Sequence, residues 1–264
     1  MQLKKQLNSM KKIILSNINK IDLSLEDKDI TFVLESNTVS KLYLEGIKAD
    51  SNILFELKEG SSLSLSIFAY DEVKNLKMNG ELDKNASISV YFADFSQKQN
   101  TSDITINLNK EGANALWHLA SLSTQKDKKL IGVSIYHKAP ETFARVDNYG
   151  VAKDESKLVF SGTSHILNGS IKSSTQQNTK IMVFDPKSDA IAKPILKIDE
   201  NDIEASHSAA VGKISDEEVF YLTSRGLNEE QAKMLITLGY LKPIFKGFDE
   251  TEIEKMNKII EERL

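Results

Sequence analysis

The sequence has no cysteine, four prolines and a single tryptophan in 264 residues. Without a thiol the chain can form no disulfide, offer no thiolate nucleophile, and hold neither zinc nor iron through sulfur of its own. With so few prolines, its turns must be built from Gly, Asn and Asp. An excess of positive charge is also missing. Thirty-four Lys and Arg stand against 38 Asp and Glu, a formal net charge of −4, so the footprint of a general nucleic-acid binder is absent. No apolar run is long enough to span a membrane. Near the start only Ile13, Ile14 and Leu15 are consecutive apolar residues, too few for a secretory signal core. The expectation is a cytoplasmic chain that binds neither membrane nor nucleic acid.

What the sequence does have is alternation. From Thr31 to Gly212, runs such as SSLSLSIFAY, ASISVYFADF and SDITINLN alternate apolar and polar residues with period two, separated by clusters of Gly, Asn, Asp and Lys. The stretches KEGSSLSLSIFA, DKNASISVYFA and NKEGANALWHLA align with Gly60, Asn85 and Gly112 at one turn position, 25 (85 − 60) and 27 (112 − 85) residues apart. A residue tolerant of positive φ, a small residue and then a strand, repeated in this way, fits the stacked coils of a β-solenoid. It fits a β-sandwich with evenly spaced hairpins equally well.

After Gly212 the period changes. Ser215 to Glu218, Asn228 to Gln231 and Asp249 to Glu252 carry the spacing of capping boxes and predict three short helices, the first ending at Gly226 and the second at Gly239. The chain therefore divides into a short N-terminal segment (1–30), a β core (31–212) and a C-terminal helical domain (213–264). Apolar residues in the helices, among them Phe220, Leu222, Leu235 and Phe245, are denser than one buried face requires. Either they pack on one another over the end of the solenoid or they dock another protein.

Five stretches occur in a recognisable order: HKAPET (His137 to Thr142), VFSGTSHI, Gln176-Gln-Asn178 before IMVF, KPILKIDENDIEASHSAAVGKI, and DEEVFYLTSRGLNEEQAKMLITLGYL. Over about Ile135 to Ile244 the sequence resembles the SufB/SufD family of scaffold proteins in the SUF system of iron–sulfur cluster assembly. The SufB branch is expected to supply a cysteine for sulfur or cluster chemistry, and this chain has none, so the resemblance points to the SufD branch. It implies a mainly β fold, a right-handed parallel β-helix followed by a small C-terminal α-helical domain. It further implies a non-catalytic scaffold that pairs with SufB through the β-helix and docks the SufC ATPase through its helices, with room for a homodimer in isolation. ATP would be bound only by SufC, since no GxxxxGK[ST] loop is present. The chain departs from the family pattern at Ser208, where a Gly is usual after the histidine, and at Lys180, where an Asn is usual.

The same resemblance makes His207 a candidate ligand of a transient iron–sulfur cluster shared with SufB, a metal contact at an interface, with no cofactor bound by the chain alone. On composition, one His among small residues is an ordinary hydrogen-bonding partner. Phe220, Tyr221, Leu222, Arg225, Gly226 and Leu227, in the FYLxSRG segment, and Leu241 are the candidate partner-binding residues; aromatics with Arg are typical interface anchors. Tyr221 and Arg225, four apart, can also simply stack on one helix face. Of Trp117 and His118, adjacent in a strand-like run, one faces inward and one outward. His137 is expected to fix a turn, and His165 has no motif around it. Two other functions stay in view: a purely structural scaffold without cluster contact, and a β-helix enzyme acting on carbohydrate, which needs paired carboxylates. The acids in DENDIE and KDESK have the texture of solvated turns.

Overall fold

The computed structural model describes residues 11–25, 28–47 and 50–264. Sixteen strands run through these residues. The first eight are β1 (Lys11–Ile14), β2 (Ile18–Asp22), β3 (Asp29–Leu34), β4 (Val39–Glu45), β5 (Asn52–Leu57), β6 (Ser62–Ala69), β7 (Val73–Leu82) and β8 (Ser87–Asp94). Then follow β9 (Gln99–Leu108), β10 (Asn114–Ser123), β11 (Lys128–His137), β12 (Phe143–Ala152), β13 (Lys157–Ile166), β14 (Ser173–Val183), β15 (Asp189–Ile198) and β16 (Ile203–Lys213). Odd strands pair only with odd and even only with even, giving two eight-stranded parallel sheets. A sandwich of hairpins would pair sequence neighbours antiparallel, so the pairing decides for the β-solenoid. Both β1 and β2 join the sheets, ahead of Thr31. Their residues, KKII and INKID, are exposed or half-buried at the first coil and carry no alternation to announce them. Residues 1–10 of the predicted N-terminal segment lie outside the described residues.

One corner of each coil is turned by a residue at positive φ: Asn37, Gly60, Asn85, Gly112, Glu141 and Lys172, with φ between 52° and 72°. The amide of each donates to a carbonyl one coil on, from Asn37 to Glu59 (2.8 Å) through Gly60 to Lys84 (2.8 Å) and up to Lys172 to Asp202 (2.6 Å). The spacing grows evenly, 60 − 37 = 23, then 25, 27, 29 and, at 172 − 141, 31 residues. Strand side chains alternate with period two, so an even increment widens the coil without turning its apolar set outward. Glu141 and Lys172 take the left-handed conformation without the residue type that betrays it, which is why the repeat fades after Gly112 in the sequence.

The core fills the space between the sheets. Phe32, Phe55, Phe92, Trp117 and Phe160 are fully enclosed there. Trp117 donates its Nε1–H to Asn148 Oδ1 at 3.0 Å, the hydrogen bond that a buried indole requires.

Three helices follow: α1 (Asp216–Ser224), α2 (Glu229–Leu241) and, after a 3-10 turn at Lys242–Gly247, α3 (Glu250–Arg263). Asn228 with Gln231 and Asp249 with Glu252 form reciprocal capping boxes, whereas Ser215 accepts from the Glu218 amide without the return bond. Gly226, at φ 100°, turns the chain between α1 and α2 as its position predicts. The second helix does not end at Gly239 but continues to Leu241. A glycine inside a helix costs about 1 kcal/mol, less than the gain from enclosing Leu241 completely.

The helices do not cover the end of the solenoid. They fold back along its flank, where Leu241, Ile244, Met256 and Ile260 bury against Phe68, Leu122 and Val151 on the outer face of the even sheet and against Phe95 just past β8. The chain approaches so closely at Gly247 that a Cβ there would lie 2.3 Å from the Tyr91 ring, and Ser66 Oγ donates to the Gly247 carbonyl. The last coil is left bare: in β16 every residue after Ile203 is exposed, and much of β15 is exposed as well.

Candidate functional site

His207 stands in β16, in register with Gln177 of β14. Continued through the sheet, that register runs Val90, Trp117, Val146, Gln177, His207, and Val90, Trp117 and Val146 belong to the solenoid core. His207 therefore occupies an inward-facing position of the fold, but on the last coil, with none of the described residues pairing beyond it. Beneath it the core turns polar. The Gln177 amide donates to Ser164 Oγ (2.8 Å) and to the Ile195 carbonyl (3.1 Å), and Thr175 Oγ1 donates to the same serine at 3.0 Å. Gly162 makes room for this bridge, since a Cβ there would sit 3.0 Å from Gln177 Oε1. Among the described residues His207 makes no hydrogen bond or ion pair, so its lone pair is available to a ligand or metal.

Three of the segments that carry the family resemblance meet here. Gln176, Gln177 and Asn178 lie opposite Ser206, His207 and Ser208, and Ser208 Oγ donates to Asn178 Oδ1 at 3.0 Å. Position 208 is extended strand, where a side chain is no hindrance, so the departure from glycine is harmless. An open groove of about 250 Å³ runs beside these residues and is walled by Arg145 and Asp147, whose Nε and Oδ2 are 2.8 Å apart.

The second predicted site is the α1–α2 face. Helix α1 buries none of its residues. Phe220 is 73% exposed and Tyr221 56%, with Leu235 of α2 at 49%. Tyr221, Leu222, Leu235, Ile236 and Tyr240 line an open groove of about 620 Å³ that reaches Met182 on the sheet. The Arg225 guanidinium lies 5.2 Å from the Tyr221 ring centroid, so the two do stack. Leu222 and Leu227 are half-buried, and Gly226 serves as the left-handed corner. Leu241 requires correction as a partner contact: it is fully enclosed between the helices and the sheet, because its position on α2 faces the solenoid.

The other histidines are built into the walls. Trp117 faces inward and His118 outward, with its ring stacked on Tyr91 at 5.0 Å and its Nδ1 3.5 Å from Asp147. Burial holds its pKa below the ordinary value despite that carboxylate. His137 fixes the turn expected of it through Nδ1 and Thr142 Oγ1 at 2.8 Å. Its Nε2 is enclosed with no partner among the described residues, and burial pushes its pKa down to about 4. His165 meets Asp199 at 2.6 Å.

Sequence reasoning missed the buried ion pairs Asp94–Lys129 and Asp127–Arg263. A signal was present. In KKLIGVSIYH, Lys129 shares parity with Ile131, Val133 and Ile135, all inward, and Asp94 shares parity with Ile88, Val90 and Phe92.

Fold and site together define a class: a parallel β-solenoid left open at one end, carrying a free imidazole on the open coil and a flank-mounted helical unit with exposed aromatics. The family model described as SUF system FeS cluster assembly, SufBD core domain, matches residues 27–240. The chain belongs to that SufB/SufD family. It is 25% identical over 213 residues to the iron-sulfur cluster assembly protein SufD of Bacillus subtilis (strain 168), covering 78% of this chain and 48% of that one. It is 28% identical over 153 residues to the SufB protein of the same strain, covering 58% and 33% respectively. A SufBD family protein of Staphylococcus saprophyticus is 30% identical over 129 residues, covering 49% and 28%. The chain thus spans about half or less of the length of these relatives.

Proposed function

We propose that this chain is the SufD-like, non-catalytic subunit of a cytoplasmic SUF scaffold. It pairs with a SufB chain through β16 and offers His207 as one ligand to a nascent iron–sulfur cluster. The observation that carries this reading is an unpartnered imidazole on the uncovered coil of a chain that has no cysteine. A neutral imidazole is a borderline ligand that suits iron beside thiolates; the sulfur ligands would come from the partner.

Three further features support it. An edge strand left unpaired is a template for another chain, and proteins blunt such edges with Pro or charge. In β15 Pro194, Lys193 and Lys197 do so, whereas β16 has neither between Glu204 and Lys213. The exposed aromatic face of α1 suits a SufC ATPase, and in an assembly of one SufB, one SufD and two SufC the ATP-driven approach of the two ATPases would move the helical units. Lastly, the buried acids Asp94, Asp127, Asp147 and Glu252 are each held by a cation, Lys129, Arg263, Arg145 and Lys20 in turn, which favours a scaffold over a carbohydrate-cleaving site.

Co-expression with the SufB and SufC chains of the same genome tests the assignment. Ala209→Pro removes an edge donor from β16 and is expected to abolish SufB pairing while SufC still binds. Phe220→Ser with Tyr221→Ser is expected to do the reverse. A wild-type chain that binds neither, or that prefers its own copy to added SufB, contradicts the proposal.

A further inference from the structure

Four charged side chains meet where α3 joins the solenoid, outside both sites described above. Arg263, on the last turn of α3, keeps 8% of its side chain exposed. Its Nε and Nη2 donate to Thr124 Oγ1 at 3.1 and 2.8 Å, its Nη1 donates to the carbonyls of Phe95 (2.8 Å) and Ser96 (3.3 Å), and Nη2 also reaches Asp127 Oδ2. Asp127 in turn accepts from the amides of Lys98 (2.6 Å) and Thr124 (3.0 Å). Two successive corners of the solenoid are thus gathered on one guanidinium.

Behind them lies a second pair. Asp94 and Lys129 have no exposed side-chain surface and stand 3.1 Å apart. The Lys129 ammonium also donates to the carbonyls of Leu122 (2.8 Å) and Asp94 (3.1 Å), and the hydroxyls of Ser96 and Ser121 donate to the Asp94 carboxylate. Burial works against the charged form of Asp94, but Lys129 and the hydroxyls outweigh it and hold its pKa below the usual range. Ser96 joins the two pairs, its carbonyl accepting from Arg263 Nη1 and its hydroxyl donating to Asp94, so they form one network that crosses the solenoid wall. Apolar contact between α3 and the sheet is non-directional and would let the helix slide. A forked guanidinium on fixed acceptors allows one placement.

We propose that Arg263 is a positioning residue that locks the helical unit to the solenoid, so that a displacement of the helices is delivered through Ser96 to the Asp94–Lys129 pair inside the wall, and the reverse. The coupling is a property of the chain alone and stands apart from the identity of its partners.

Because coupling is reciprocal, each side can be perturbed while the other is read by amide hydrogen exchange on the full chain. Arg263→Met is expected to raise exchange about tenfold in residues 94–98 and 122–129 as well as in α3. Ser121→Ala loosens Asp94 from within the wall and is expected to raise exchange in α3 by about two- to fivefold, with the double variant less than additive. Arg263→Lys, keeping the charge without the fork, is expected to fall between wild type and Arg263→Met. Unchanged α3 exchange in Ser121→Ala, or additive effects in the double variant, overturns the proposal. Should Arg263→Met fail to fold by circular dichroism, Arg263→Lys combined with Ser121→Ala makes the same comparison. Partner binding is scored separately, so loss of coupling with intact binding, or the converse, tells the two proposals apart.

Discussion

His137 shows how much a single enclosed group can govern. Its folded pKa of about 4 lies below the ordinary imidazole value of 6.5, so between those values the unfolded chain binds a proton that the folded chain refuses. Stability is then full above about pH 6.5 and falls as the pH drops toward 4, by about 2 to 3 kcal/mol between pH 7 and 4.5. Urea melts at those two pH values should show that loss in the wild type and a smaller one in His137→Gln; equal losses would contradict the account. Asp94, held below the usual carboxylate range, contributes stability that is lost only at lower pH, as the pH falls through its folded pKa, so the two windows are separable. At the centre of the core, Trp117→Ala removes a fully buried indole and leaves Asn148 without its donor. It is expected to cost about 3 to 5 kcal/mol in denaturant melts. A loss below about 1 kcal/mol would mean that the core collapses around the cavity.

Among elements, the most legible were those whose physics is local. The capping residues Asn228 and Asp249 start their helices where the sequence places them, because a side-chain oxygen and an amide three residues on decide the matter by themselves. Asn228→Ala should therefore cost about 1 kcal/mol and raise exchange at the start of α2 before anywhere else; uniform destabilisation would argue against a local cap. Parallel pairing was less legible. The three corners at Gly60, Asn85 and Gly112 fit a sandwich equally well, and it is hydrogen bonding between residues some 25 positions apart that separates the two folds. Glu141 and Lys172 turn corners through their place in the ladder rather than through their own preference. The placement of α3 was not legible at all, because the apolar stripe of Met256 and Ile260 does not say which surface covers it, and Leu241 looked free for the same reason.

On the scale of the whole molecule, two unlike surfaces are held in a fixed relation. One is the open coil bearing His207 and the bare edge of β16; the other is the aromatic face of α1 and α2. The flank contact of Ile244, Met256 and Ile260, closed by Arg263, joins them. The position of His207 on an inward row was readable from parity, since Ala205, His207 and Ala209 continue the phase of Thr175, Gln177 and Thr179. That this row ends in the open was not, because it depends on the helices lying along the flank. The most direct measurement is anaerobic iron and sulfide quantification on the complex proposed to form with SufB and SufC chains, wild type against His207→Ala. The account predicts that both complexes assemble and that the variant retains less than about a tenth of the wild-type cluster, the loss expected on removal of a ligand. Equal loading in the two complexes would contradict it and leave His207 a bystander on the edge of the scaffold.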